Sequence, residues 1–277
     1  MSVTVQALAS SSAGNATLIT NGKSAILIDF GLNAKTLTTL LGYRNIHPGK
    51  LSGAFLTHLH TDHVHPTALK MLVKYNVPVF CTVAAKKEII KENPFLHIAG
   101  AAENPCLRSI EKGTAASAGK FSILPFPVLH DSQGGCSGYQ IFSEKSGKKI
   151  KITVATDIGA PEKNLEKEFA DSDVLVLEAN HDENMLRNCS RPQWLKDRIR
   201  NTGHLSNKEC GALLKKIFTV SKKLPRALFL AHISQECNTN AEAVSAVNKI
   251  LKNHEFSVPI YETFSNKVSE IVTIKTD

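Results

Sequence analysis

At six places along the 277-residue chain an apolar run stops on an ionisable residue. The runs "SAILID", "LSGAFLTH", "KFSILPFPVLH", "KKIKITVATD", "DVLVLE" and "RALFLAH" end on Asp29, His58, His130, Asp157, Glu178 and His232. Short, nearly continuous apolar runs fit strands covered on both faces. Strand ends are where layered α/β folds place their chemistry, because the scaffold is rigid and the loops are free. If the strands lie side by side, these six side chains converge on one rim.

Between the runs the pattern turns helical. "PTALKMLVKY" reads as a helix with Pro66 in its first turn. "PEKNLEKEFA", "NKECGALLKKIFT" and "AEAVSAVNKILKN" read as three more, and "KVSEIVTIK" as a closing strand. Strands and helices in both halves imply two sheets with helices outside, an α/β (α+β) architecture. No Pro/Gly-rich linker, repeat or low-complexity tract breaks the chain, so residues 1–277 read as one domain. No apolar run approaches the ~20 residues of a membrane span, and no signal peptide is apparent. A cytoplasmic protein with no membrane partner is expected. The six cysteines form no C-x-x-C pair and read as reduced, mostly buried thiols. The formal charge of +8 draws the chain toward phosphate polymers or anionic surfaces, without choosing between them.

The densest chemistry is "FLTHLHTDHVHP", Phe55 to Pro66. His58 and His60, two residues apart on an extended turn, can grip one ion. Asp62 and His63 just beyond can begin a second site about 3.5–4 Å away, the usual spacing of paired catalytic metals. Each site still lacks ligands, and His130, Asp157 and His232 are available after apolar strands. The bland alternative is a solvated His-rich loop. The whole string, with His, Asp and His downstream at strand ends, argues against it.

This string resembles the motif of the metallo-β-lactamase fold superfamily. "LASSSAGNATLI", "LIDFGLNAKTLTTLL", "LEANHDENML", "LKDRIRNTGHLSN" and "LAHISQECN" resemble its YycJ/WalJ-like branch, so the likeness covers nearly the whole chain. It implies a four-layer αβ/βα sandwich, a dinuclear centre and an exonuclease-like phosphodiesterase activity. It puts His58, His60 and His130 on one metal, and Asp62, His63 and His232 on the other, with Asp157 bridging. Two departures stand out: His65-Pro66 after the string, and His181 after Asn180. His65 is expected to be exposed or to support the ligands from behind.

Around this centre, "NTGHLSNKECGALL" places His204 just ahead of a helix. Ser206 and Glu209 match a capping box, so the helix should start at Asn207. Free N–H groups there make a phosphate seat, and His204 can protonate a leaving oxygen. Glu178 could orient His204. Asp62, His204 and Glu178 are therefore the catalytic candidates. Asp29 reads as a support for the His-rich loop rather than a ligand. Gly14 in "ASSSAGNA" permits a tight turn, and the serines and backbone N–H groups there could also meet an anion. Arg187, Arg191, Lys196, Arg198 and Arg200 read first as a solvated helix face and second as a ramp for a phosphate backbone. Trp194 is expected in the core rather than as a base-stacking platform.

Two divalent ions would lower the pKa of a bridging water, and the hydroxide would attack phosphorus or a carbonyl carbon. Nitrogen and oxygen donors without thiolate suit zinc or manganese, and also iron. The metal cluster does not choose among ester classes. The basic balance, His204 and the branch-like strings favour a nucleic-acid phosphodiester, DNA first. The competing readings are a hydrolase of a small ester or thioester, and a non-hydrolytic metal-binding or redox protein.

Overall fold

The computed structural model describes residues 2–93, 96, 104–160 and 162–275. Among these, two seven-stranded mixed sheets face each other. The first contains β1 (Ser2–Ala9), β2 (Ala16–Thr20), β3 (Ala25–Ile28), β4 (Gly53–Phe55), β5 (Val79–Cys81), β6 (Leu107–Ser109) and β14 (Val272–Lys275). Its order is β14-β1-β2-β3-β4-β5-β6, antiparallel from β14 to β3 and parallel from β3 to β6. The second contains β7 (Ala116–Ala118), β8 (Phe121–Val128), β9 (Cys136–Lys145), β10 (Lys148–Ala155), β11 (Val174–Glu178), β12 (Ala227–Ala231) and β13 (Ile260–Glu262). Its order is β7 through β13, antiparallel up to β10 and parallel beyond.

The period-two side-chain alternation of the strands builds the layers. In β3, Ile26 and Ile28 enter the core between the sheets, while Leu27 packs outward under helices. In β11, Val174 and Val176 face the other sheet, and Leu175 and Leu177 face the opposite helices. Burial on both faces is why these strands read as unbroken apolar runs. The outer layer over the first sheet includes α1 (Ala34–Gly42), α2 (Pro66–Lys74) and α3 (Val83–Glu92). That over the second includes α4 (Leu165–Phe169), α7 (Asn207–Val220) and α8 (Asn240–Lys252). The result is the expected four-layer αβ/βα sandwich.

Several boundaries differ from the sequence reading. α4 is shorter than "PEKNLEKEFA" suggests: Asn164 sits at φ 70° in front of it, and Pro161 lies outside the described residues. The last strand is confined to Val272–Lys275. Helices α1 and α3 and the short strands β5, β6, β7 and β13 do not stand out in the sequence. Pro125 and Pro127 are tolerated inside β8 because β7 pairs only with Phe121, Ser122 and Ile123, leaving that edge free beyond.

Candidate metal centre

The parallel strands β10, β11 and β12 end side by side, and the residues that end or follow them are Asp157, Glu178 and His232. From the first sheet, β4 leads into His58, His60, Asp62 and His63. His130 follows β8. All seven candidate ligands meet at this rim. His58 Nε2, His130 Nε2 and His232 Nε2 lie 3.9, 3.7 and 3.6 Å from Asp157 Oδ1. His60 Nδ1 is 3.2 Å from His130 Nε2. On the other side, His63 Nε2 and His232 Nε2 lie 3.3 and 3.2 Å from Asp62 Oδ2.

The backbone at these strand ends is strained. Asp29, Asp157 and His232 take φ of 61°, 58° and 56°, the left-handed region that non-glycine residues seldom enter. Each sharp turn keeps the side chain at the rim instead of letting it follow the chain away.

The outer nitrogen of most imidazoles is fixed from behind. His63 Nδ1 donates to Asp29 Oδ2 at 2.7 Å, His130 Nδ1 to Gly203 O at 2.9 Å and His232 Nδ1 to Glu178 Oε1 at 3.1 Å. His58 Nδ1 lies 3.0 Å from Thr57 Oγ1, which itself meets both oxygens of Asp29. With the outer nitrogens engaged, the inner lone pairs point at carboxylates that are also acceptors. His58 Nε2 is buried with no hydrogen-bond partner, and Asp157 Oδ2 is buried with only His63 Nε2 near it, at 3.1 Å. Converging lone pairs with orphaned buried atoms are what divalent cations satisfy, and the donor set fits them.

The two sides differ electrically. Burial holds His58, His60 and His130 below the usual imidazole range, so they stay neutral with lone pairs available. Burial also opposes charge on His63 and His232, but the neighbouring carboxylates outweigh it. His63 rises well above its usual value, and His232 is pushed up to about 10 by Asp157, Asp62 and Glu178. Asp62 and Asp157 remain ionised, because the imidazoles overcome the burial that would protonate them. This second side holds protons where cations would compete for the same lone pairs.

His204 and Glu178 belong to the rim. Glu178 is fully buried, and its Oε1 lies 2.8 Å from His204 Nδ1. Its Oε2 accepts from the backbone N–H of Ile158 and Leu205. Burial opposes its charge, but His204 and His232 hold the carboxyl down to about 2. The capping box forms as expected, with Ser206 ahead of α7. His204 lies 3.5 Å from Asp157, so Asp157, Glu178, His204 and His232 form a further group able to hold an ion.

Sequence reasoning missed Asn15 and Asn180. Asn15 Nδ2 lies 3.1 Å from His63 Nε2 and also reaches Asp62, while Asn180 Nδ2 meets His232. The only sequence hint was their place in "SAGNA" and "LEAN" beside the motifs. Asp29 supports the loop as expected, and His65 caps α2 by accepting from Thr67 N. Two expectations are corrected. Trp194 is 67% exposed rather than in the core, because the short helix α6 (Gln193–Arg198) turns it away from the small cluster around Leu186, Ile199 and Cys237. Lys196 is buried, not part of a solvated face, and its ammonium donates to Arg187 O.

Residues 25–233 match the beta-lactamase superfamily domain. An exodeoxyribonuclease WalJ from Streptococcus pneumoniae serotype 2 is 28% identical over 246 residues, covering 88% of this chain and 86% of the relative. An exodeoxyribonuclease YycJ from Bacillus anthracis is 25% identical over 252 residues, 91% and 90% of the two chains. Among solved structures, the metallo-beta-lactamase fold protein YhfI from Bacillus subtilis superposes with a TM-score of 0.70 at 16% identity, across 99% of this chain and 100% of that one. Matched by the family over most of its length, the chain belongs to the beta-lactamase superfamily domain family, as a metal-dependent hydrolase of the metallo-β-lactamase fold.

Proposed function

We propose that the chain is a phosphodiesterase that removes nucleotides from DNA ends, acting as one unit across residues 1–277 in the cytoplasm. The observation that carries this reading is the Glu178–His204 pair at the metal rim. Glu178 holds Nδ1–H of His204, which leaves Nε2 to deliver a proton to a leaving oxygen in the groove. The same groove, about 390 Å³, is lined by Asp62, Asp157 and His232. The names of the exodeoxyribonuclease relatives support the substrate, and the +8 charge suits a polyanion.

In this reading His58, His60, His130 and Asp157 would hold one divalent cation, and Asp62, His63, His232 and Asp157 would hold a second. Zinc and manganese suit the donors, and iron is compatible. When bound, the cations supply a water ionised near neutral pH and offset charge growing on the scissile phosphate. Asp62 would stay a carboxylate and orient that water as a hydrogen-bond acceptor, and Glu178 keeps His204 and His232 oriented.

The test is metal-dependent digestion of linear duplex DNA beside a closed circle of the same sequence. Nucleotide release from the linear form alone supports the reading. Equal attack on both, or thioester hydrolysis with DNA untouched, overturns it.

A further inference from the structure

Beside the metal groove lies a second recess of about 140 Å³, more enclosed than the groove itself. Ser12, Arg198 and His204 line both, so the recess and the metal rim share one wall. Its other walls include Arg191, Asp131 and Ser234. We infer that this recess binds the terminal phosphomonoester of a nucleic-acid strand and so sets the register of cleavage. The inference rests on the nuclease reading of the adjacent centre.

Four observations carry it. First, both guanidinium groups are held but not used up. Arg198 pairs through Nε with Asp131, and Arg191 through Nε with Glu236. No hydrogen bond among the described residues engages the Nη groups of either, so each has its outer donors available. Pinning by a carboxylate on Nε fixes the guanidinium plane, the geometry that receives phosphate oxygens in pairs. Asp131 and Glu236 are themselves one-third and one-half exposed, so solvent screens their repulsion of an incoming anion.

Second, charge separates an end from an interior position. An internal phosphodiester carries one charge, whereas a terminal monoester carries about −1.5 to −2 and has three free oxygens. Two arginine forks and the Ser12 and Ser234 hydroxyls suit the latter. Third, size limits the guest. The recess, about 140 Å³ against about 390 Å³ for the groove, suits a compact group such as a phosphate. Fourth, the recess is the more enclosed of the two, which suits the end of a strand better than its continuation. The small-residue loop carrying Ser12 thereby gains a role that a tight turn alone does not give it.

The chain has one tryptophan, Trp194, exposed on α6 between Arg191 and Arg198. Its emission reports binding here without any need for turnover. Initial rates should be compared on duplexes bearing a 5′-phosphate, a 3′-phosphate or hydroxyls only. One phosphorylated end is expected to raise kcat/KM about 10- to 100-fold, mainly through KM, as expected for a paired charge-assisted contact. Arg191→Gln should bring that ratio to about one. Arg191→Lys should keep part of it, since lysine retains charge but loses the fork; it carries the test if the glutamine variant fails to fold. Intact DNA cleavage with no end preference, or a preference that survives Arg191→Gln in a protein of unchanged melting temperature, overturns the inference while leaving the nuclease reading standing. If no DNA is cut, the nuclease reading falls and Trp194 emission decides. A saturable response to a phosphate-ended oligonucleotide, absent with the hydroxyl-ended one and weakened in Arg191→Gln, supports the recess; identical responses overturn it.

Discussion

Two corners of the molecule carry the same three-residue pattern. Asp29-Phe30-Gly31 follows β3 in the first sheet, and Asp157-Ile158-Gly159 follows β10 in the second. In both, the aspartate is buried and left-handed, and the glycine lies under a passing backbone. A Cβ on Gly31 would stand 1.7 Å from Asp62 O, and one on Gly159 2.0 Å from Thr202 O. Each glycine therefore lets a loop of the rim approach: the string through His63 at one corner, the segment entering His204 at the other. The aspartates then diverge. Asp29 is turned to Thr57 and His63 and works from behind the rim. Asp157 faces five imidazoles across the centre. Identical local chemistry thus yields a positioning group in one half and the central carboxylate in the other. What differs is the loop that crosses each corner.

The sharpest way to break this comparison is to remove the aspartate that faces the centre. Asp157→Ala should eliminate hydrolysis beyond the ~100-fold that a supporting contact is worth, and bound metal should fall. Elemental analysis with a turnover assay checks both; a variant that keeps its metal and more than a tenth of its activity removes Asp157 from the centre. Next in size is the residue that the second corner delivers. His204→Ala should lower phosphodiester turnover by roughly 10²–10⁴-fold with metal content unchanged, and by less on a nitrophenyl ester whose leaving group needs no proton. Loss of a metal equivalent instead would make His204 a ligand, through the group it forms with Asp157, Glu178 and His232.

Asp29→Asn should cost about 10- to 100-fold in activity or metal affinity, since it weakens the anchor of His63 and the Thr57 contact behind His58 without removing a candidate ligand. A loss equal to that of Asp157→Ala would erase the distinction between the corners. Gly31→Ala and Gly159→Ala should each destabilise the fold by about 1–3 kcal/mol in denaturant titrations, because a backbone must yield. The first should weaken metal retention through Asp62 and His63, and the second through the Gly203 carbonyl that anchors His130.

The smallest effect concerns acid. Glu178 is held down to about 2 in the folded chain against an ordinary value of 4.5. Its folded state thus binds fewer protons than the unfolded one between those values. The stability it contributes is present above 4.5 and lost as pH falls toward 2. Glu178→Gln should flatten that limb of the stability curve in the metal-stripped protein, and an unaltered limb would show that other groups carry it.

The legibility of the two halves follows the same contrast. His58, His60, Asp62 and His63 are chain neighbours, so one turn after β4 brings them together and the sequence alone exposes them. His130, Asp157, Glu178 and His232 are far apart in the chain, and among the residues themselves each was marked by its place at the polar end of an apolar run. The buried strands were legible because burial on both faces demands continuous apolar residues. Strands β5, β6 and β7 and the helix α6 were not, because segments of three to six residues carry too little periodicity to distinguish. The same limit misplaced Trp194: an aromatic in a basic stretch reads as core until the path of α6 is known.

By itself, then, the sequence determined the layered α/β class, the donor types and the local His-rich turn, because these depend on side-chain chemistry at short range. Tertiary structure decided that Asn15 and Asn180 brace the centre, and that Ser12 and Arg198 meet across one recess. Those outcomes depend on the parallel alignment of β10, β11 and β12 and on two backbones passing over Gly31 and Gly159. Such contacts are made between residues distant in the chain, and no local pattern records them.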